Sequence, residues 1–74
     1  MNNETSLVIH TEFIKLESAM KLANAVSTGG EAKNYILDEL VTVNGEPCTM
    51  RGKKLRDGDC FAFDGKTYRI HAAG

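Results

Sequence analysis

The chain has 74 residues, enough for one modest core and too few for two, because two half-size cores would each be too small to fold without disulfide or metal staples. With 42% hydrophobic and 26% charged residues, its composition is that of a globular domain and excludes a disordered or membrane-embedded chain. A net charge of -1 excludes overall basicity, so any attraction for a polyanion has to come from where the charges sit.

The apolar runs are only a few residues long, far short of the roughly 20 that cross a bilayer, and Met1-Asn2-Asn3-Glu4 lacks the basic-then-apolar pattern of an export signal. A cytoplasmic protein with no membrane partner is expected. Cys48 and Cys60 lack the density of a secreted disulfide scaffold and fit two free thiols in a reducing compartment, with a single disulfide as the alternative.

Residues 1–5 and 72–74 read as flexible tails, leaving 6–71 as one domain without repeat or linker. Leu7-Val8-Ile9-His10 has the β-branched character of a short strand, and the period changes between Thr11 and Ile14. From Leu16 onward, Leu16, Ala19, Met20 and Ala23 recur at the spacing that lays one helical stripe on a core, leaving Lys15, Glu17 and Lys21 in water. Ser27-Thr28-Gly29-Gly30 interrupts that helix. Thr28 and Glu31 have the S/T-x-x-E spacing of a capping box, which starts a second helix with the stripe Ala32, Tyr35, Ile36 and Leu40 and with Lys33, Asn34 and Asp38 outward.

After Leu40 the period becomes two. Val41 and Val43 form a strand, Asn44-Gly45 supplies a tight hairpin turn, and Glu46 to Thr49 is the return strand, with Pro47 at an edge because it has no amide hydrogen. A basic loop follows, in which Arg51, Lys53, Lys54 and Arg56 place four positive charges within six positions. Asp57-Gly58-Asp59 turns into Cys60 to Phe63, and Asp64-Gly65 joins that strand to Lys66 to Ile70, with Phe61, Phe63, Tyr68 and Ile70 on the buried face. The expected fold is α+β: two packed helices followed by a small antiparallel sheet of short strands, with the first strand closing on the last hairpin.

Lys15-Leu16-Glu17, then Thr28-Gly29-Gly30-Glu31-Ala32-Lys33, then Val41-Thr42-Val43-Asn44-Gly45-Glu46 resemble the αL RNA-binding motif of the ribosomal-protein-S-four-like domain. Thr11 to Leu16, Ser27 to Lys33 and Arg51-Gly52-Lys53-Lys54-Leu55 are similar to its short stand-alone bacterial members, the YaaA type. The resemblance spans nearly the whole chain and implies a non-catalytic module that binds folded RNA, in a ribosomal, ribosome-assembly or transfer-RNA setting, through the helix pair and the adjoining hairpin loop. Two positions depart from it: Thr28-Gly29 stands where many members have Ser-Arg, and Glu39 where glycine commonly ends the helix in a left-handed conformation.

The residues point the same way. Gly29 and Gly30 at a helix N-terminus offer unobstructed amides and the positive end of the dipole to a phosphate, the bland alternative being a turn that needs flexible glycine. Arg51, Lys53, Lys54 and Arg56 are long enough to reach several phosphates; the bland alternative is a solvated loop partly neutralised by Asp57 and Asp59. The expected RNA-binding set is therefore Lys15, Lys21, Thr28, Gly29, Gly30, Lys33, Asn34, Arg51, Lys53, Lys54 and Arg56. Phe61, Phe63 and Tyr68 occupy core positions instead of a stacking platform, which favours folded RNA over a single strand.

His10, Cys48, Cys60 and His71 are the soft metal ligands, at spacings that form no CxxC or HxxxH unit; two thiols buried in strands and two histidines near strand ends are expected, with no metal, cofactor or enzyme activity. The expected partner is structured RNA, ribosomal or transfer, and with it a ribosomal particle; the protein itself is expected to be a monomer. The alternatives are a protein-interaction adaptor using the edge Val41 to Thr49, and a β-grasp sulfur carrier suggested by Val-Asn-Gly-Glu and the final Ala72-Ala73-Gly74.

Overall fold

A computed structural model describes residues 4–73. In chain order these form β1 (Glu4–Ile9), β2 (Ile14–Lys15), α1 (Leu16–Leu22), α2 (Gly29–Leu37), β3 (Val41–Val43), β4 (Glu46–Pro47), β5 (Lys54–Leu55), β6 (Cys60–Phe63) and β7 (Lys66–Ala72). A five-stranded sheet has the order β1-β7-β6-β3-β4, and β2 and β5 form a separate two-stranded ribbon.

The expected all-antiparallel sheet is corrected: β1 runs parallel to β7, with Leu7 opposite Ile70, while the other pairs are antiparallel, so the sheet is mixed. Parallel neighbours need a long crossover, and the helices and hairpins between Ile9 and Lys66 supply it. Two tail assignments change with it. Glu4 and Thr5 pair with Thr67 and Tyr68, and Ala72 pairs with Ile9, because the parallel register extends over these residues. The Ala73 amide also donates to the Ile9 carbonyl at 2.8 Å, and Arg69 donates to the Glu4 carboxylate across the same pair of strands. The remaining tail residues, Met1 to Asn3 and Gly74, lie outside the described residues.

Alternation sends Leu7, Ile9, Val41, Val43, Phe61, Tyr68 and Ile70 into one buried cluster, which receives Leu16, Ala19 and Met20 from α1 and Ala32 and Ile36 from α2. Phe61, fully buried, stacks on Tyr68 at 4.9 Å between centroids, a cross-strand pair worth about 0.5–1.5 kcal/mol beyond the area it buries. Phe63 is half-buried at the margin, 4.8 Å from the Tyr35 ring. Leu40, expected in the α2 stripe, is exposed, because the helix ends at Leu37.

Both helices close in the same way. Ala25 donates to the Met20 carbonyl and Asn24 to Lys21 after α1, and Leu40 donates to Tyr35 and Glu39 to Ile36 after α2; these are Schellman closures that put Asn24 and Glu39 at φ of 60°. Glu39 thus takes the left-handed conformation that glycine commonly holds, at a cost of roughly 1–2 kcal/mol for its Cβ. The expected hairpin turns form at Asn44-Gly45 and Asp64-Gly65, all four residues having positive φ as a type I′ turn requires. The return strand is shorter than expected, Glu46–Pro47 instead of Glu46 to Thr49; Pro47 has no amide to donate, and ladder bonding ends with Cys48 donating to the Val41 carbonyl.

Candidate nucleic-acid interface

The basic segment is held by its backbone and is not a free loop. β5 pairs with β2, setting Lys54 opposite Lys15 and Leu55 opposite Ile14. The adjoining carbonyls turn toward α1, where Lys53 O accepts the Leu16 amide at 2.8 Å and Arg51 O accepts the Glu17 amide at 3.1 Å. These satisfy the first amides of a helix whose N-cap residue, Lys15, makes no side-chain cap. Leu55 is fully buried, so one side of the ribbon is anchored in the core.

The other side carries the charge. Strand alternation puts Phe13 and Lys15 on one face of β2 and Lys54 and Arg56 on the matching face of β5. Lys54 Nζ lies 4.9 Å and Arg56 Cζ 5.7 Å from the centroid of the Phe13 ring. Arg51 and Lys53 are exposed beside them, and Lys53 lines an open cleft of about 390 Å³ together with Asn44, Cys48 and Met50, next to the β3–β4 turn.

The acidic neighbours Asp57 and Asp59 form no ion pair with this cluster among the described residues. Asp57 accepts the Ala72 amide at 3.0 Å and Asp59 accepts the Arg56 amide at 2.8 Å, so both carboxylates are used to tie turns to backbone. Among the described residues one ion pair touches the cluster, Arg56 with Glu12 at 3.5 Å, and both side chains are more than half exposed. Such a pair is worth about 0–1 kcal/mol and is easily exchanged for another anion.

A second group sits at the start of α2. Thr28 Oγ1 accepts the Glu31 amide at 3.2 Å, as the capping spacing predicts, but Glu31 Oε1 accepts from Ser27 at 2.7 Å, one residue before the amide a standard box would use. The amides of Gly29 and Gly30 have no acceptor within a helix, by its geometry. Among the described residues a Cβ at Gly29 would meet nothing within 4 Å and one at Gly30 only Thr28 Oγ1 at 3.8 Å, and neither residue has positive φ. Packing and backbone conformation therefore do not require glycine at these two positions. Lys33 and Asn34 are exposed further along the helix.

Of the expected site residues, the structure brings together Lys15, Arg51, Lys53, Lys54 and Arg56, and separately Thr28, Gly29, Gly30, Lys33 and Asn34. Among the described residues no hydrogen bond or ion pair joins the two groups, although α1 and α2 pack against each other. Lys21 is in the last turn of α1, at the opposite end of that helix from Lys15. The sequence reading missed Phe13, because β2 is only two residues long and leaves no periodic signal to place the ring. The thiols also differ from expectation: Cys48 follows β4 instead of lying in a strand, and both cysteines are half-buried, with Sγ contacts of 3.6 Å to Met50 O and Asn44 Oδ1 respectively. No helix among the described residues is long and apolar enough to cross a membrane.

A family model for the S4 domain matches residues 7–71. The chain is also 42% identical over 57 residues to the probable ribosome maturation protein RlbA of Bacillus subtilis (strain 168), an alignment that covers 77% of this chain and 80% of the relative.

Proposed function

The chain belongs to the S4 domain family, and from that premise we propose that it is a non-catalytic module that binds folded RNA in ribosome assembly, through phosphate and shape contacts. In this reading the α1–α2 pair and the β3–β4 hairpin act as the αL motif. Lys15, Arg51, Lys53, Lys54 and Arg56 take phosphates on the ribbon side, and the Gly29 and Gly30 amides, with Lys33 beside them, take another at the start of α2.

The observation that carries it is the ribbon. Four of its five cations, Lys15, Arg51, Lys53 and Lys54, have no carboxylate partner among the described residues, and the backbone bonds from Leu16 and Glu17 hold them on one small scaffold. In a chain of net charge -1 this concentrates positive potential where a polyanion is able to use it. Ribosomal RNA is favoured over transfer RNA by the likeness to a probable ribosome maturation protein.

Filter binding of folded ribosomal RNA fragments across a salt series tests the proposal. With about four to six phosphates contacted, log affinity falls against log salt with a slope of about -0.7 to -0.9 per phosphate. A flat response, or no binding to folded RNA at low salt, overturns it.

The alternatives find less to stand on. The adaptor edge has a two-residue β4 and a proline without an amide, which leaves little backbone for a partner strand. A sulfur carrier needs a free flexible end, whereas Ala72 and Ala73 are bonded into the sheet.

A further inference from the structure

The Phe13 ring has two cations over it and a place in neither the helix pair nor the hairpin. It is half-buried, beside β2, on the same face as Lys15, Lys54 and Arg56. Lysine and arginine side chains on a surface are ordinarily among the most mobile in a protein, and an anion that captures them must restrict several torsions at once. A ring face attracts cations through its quadrupole, so it draws both side chains out of that freedom before any ligand arrives. Glu12 adds a weak tether from the other side, at 3.5 Å from Arg56 Nη1.

We propose that Phe13 is a positioning residue for RNA: its ring pre-orders Lys54 and Arg56 as a pair of cations set to receive the phosphate backbone. The inference rests on the RNA-binding reading and adds to it a residue that carries no charge and donates no hydrogen bond. On binding, the phosphates displace the Glu12 carboxylate from Arg56 while the ring keeps both cationic groups on the same face. Because Phe13 neutralises no phosphate, it acts on affinity without changing the number of ions released.

Salt dependence separates this role from a direct contact. Phe13→Leu keeps an apolar side chain beside the ribbon and removes the quadrupole. RNA affinity is expected to drop by roughly threefold to tenfold at every salt concentration, with the slope of log affinity against log salt unchanged. Phe13→Trp, with the strongest cation-attracting ring, restores or exceeds wild-type affinity. By contrast Lys54→Gln lowers the slope itself by about 0.7–0.9, the share of one phosphate.

A measurement without RNA reports the positioning directly. In the NMR spectrum of the intact protein, the ring current of Phe13 shifts the side-chain methylene protons of Lys54 and Arg56 upfield, and Phe13→Leu abolishes the shift. Unshifted methylenes in the wild type overturn the inference, even if Phe13→Leu proves too unstable to assay. So does a Phe13→Leu protein, folded by its amide spectrum, that binds RNA as tightly as the wild type. Failure of the wild type itself to bind folded RNA, with the ring-current shifts present, counts against the RNA reading and leaves the cation clamp standing.

Discussion

The Leu16 amide donates to the Lys53 carbonyl at 2.8 Å, so the first turn of α1 and the basic segment are joined by backbone and not by side-chain charge. Helix and cations are one unit: the carbonyl that caps the helix belongs to a residue whose side chain has no ion-pair partner among the described residues. Since a carbonyl survives any side-chain substitution, charge and stability are separable here.

Reversing Lys53 and Lys54 to glutamate therefore leaves the fold nearly intact. The cost is the Lys54–Phe13 contact, about 0.5–1 kcal/mol at an exposed site, and 1 kcal/mol is worth roughly 4–8 °C in Tm for a domain of this size. RNA affinity, measured by filter binding at fixed salt, falls at least tenfold, because two favourable charges become two unfavourable ones. Global unfolding in a thermal melt would show that the side chains, and not the carbonyls, hold the segment.

Leu55→Ala, within the same segment, does the opposite. Leu55 is fully buried between two exposed cations, and truncating it costs about 2–5 kcal/mol through lost burial and a residual cavity. Urea unfolding registers this as a large fall in the midpoint, at constant charge. A loss below about 1 kcal/mol would mean that the ribbon is not anchored to the core.

Glu39→Gly stabilises. Glu39 holds a φ of 60° in the Schellman closure of α2, its side chain makes no hydrogen bond or ion pair among the described residues, and glycine removes the Cβ penalty. A gain of ~1 kcal/mol is expected, seen as a rise in Tm of roughly 4–8 °C. A fall in Tm would show that the closure is unstrained.

Gly29→Ala and Thr28→Ala distinguish a ligand role from a folding role at the start of α2. Alanine at 29 meets open space at helical φ, so stability holds or rises by up to about 0.5–1 kcal/mol, while RNA binding weakens if a phosphate approaches that amide. Thr28→Ala removes the cap on Glu31 and costs ~1 kcal/mol of stability. RNA affinity unchanged in Gly29→Ala would show that no phosphate needs the space a Cβ takes beside that amide.

Much of the architecture was legible in the sequence because its signals are local. The stripe Leu16, Ala19, Met20 marked α1, Thr28 marked the start of α2, and Asn44-Gly45 and Asp64-Gly65 marked two turns, each by a preference that acts within a few residues. The cationic candidates were equally plain, as four charges in six positions need no fold to be counted. Phe13 was not, since its significance arises from Lys54 and Arg56, some 40 residues away along the chain.

What the amino-acid order determined alone is therefore the set of helices and hairpins and the supply of charge, all properties of short segments with their own periodicity. What only the tertiary structure decided is pairing between distant segments. β1 lies parallel to β7 although the remaining ladders are antiparallel, and β2 and β5 are too short to announce themselves until they meet. The same meeting leaves the Asp57 and Asp59 carboxylates bonded to backbone amides, and Lys15, Arg51, Lys53 and Lys54 without an ion-pair partner among the described residues. A strand carries no record of its partner in its own pattern, because partner choice depends on which buried faces and unpaired backbone groups come together when the chain collapses.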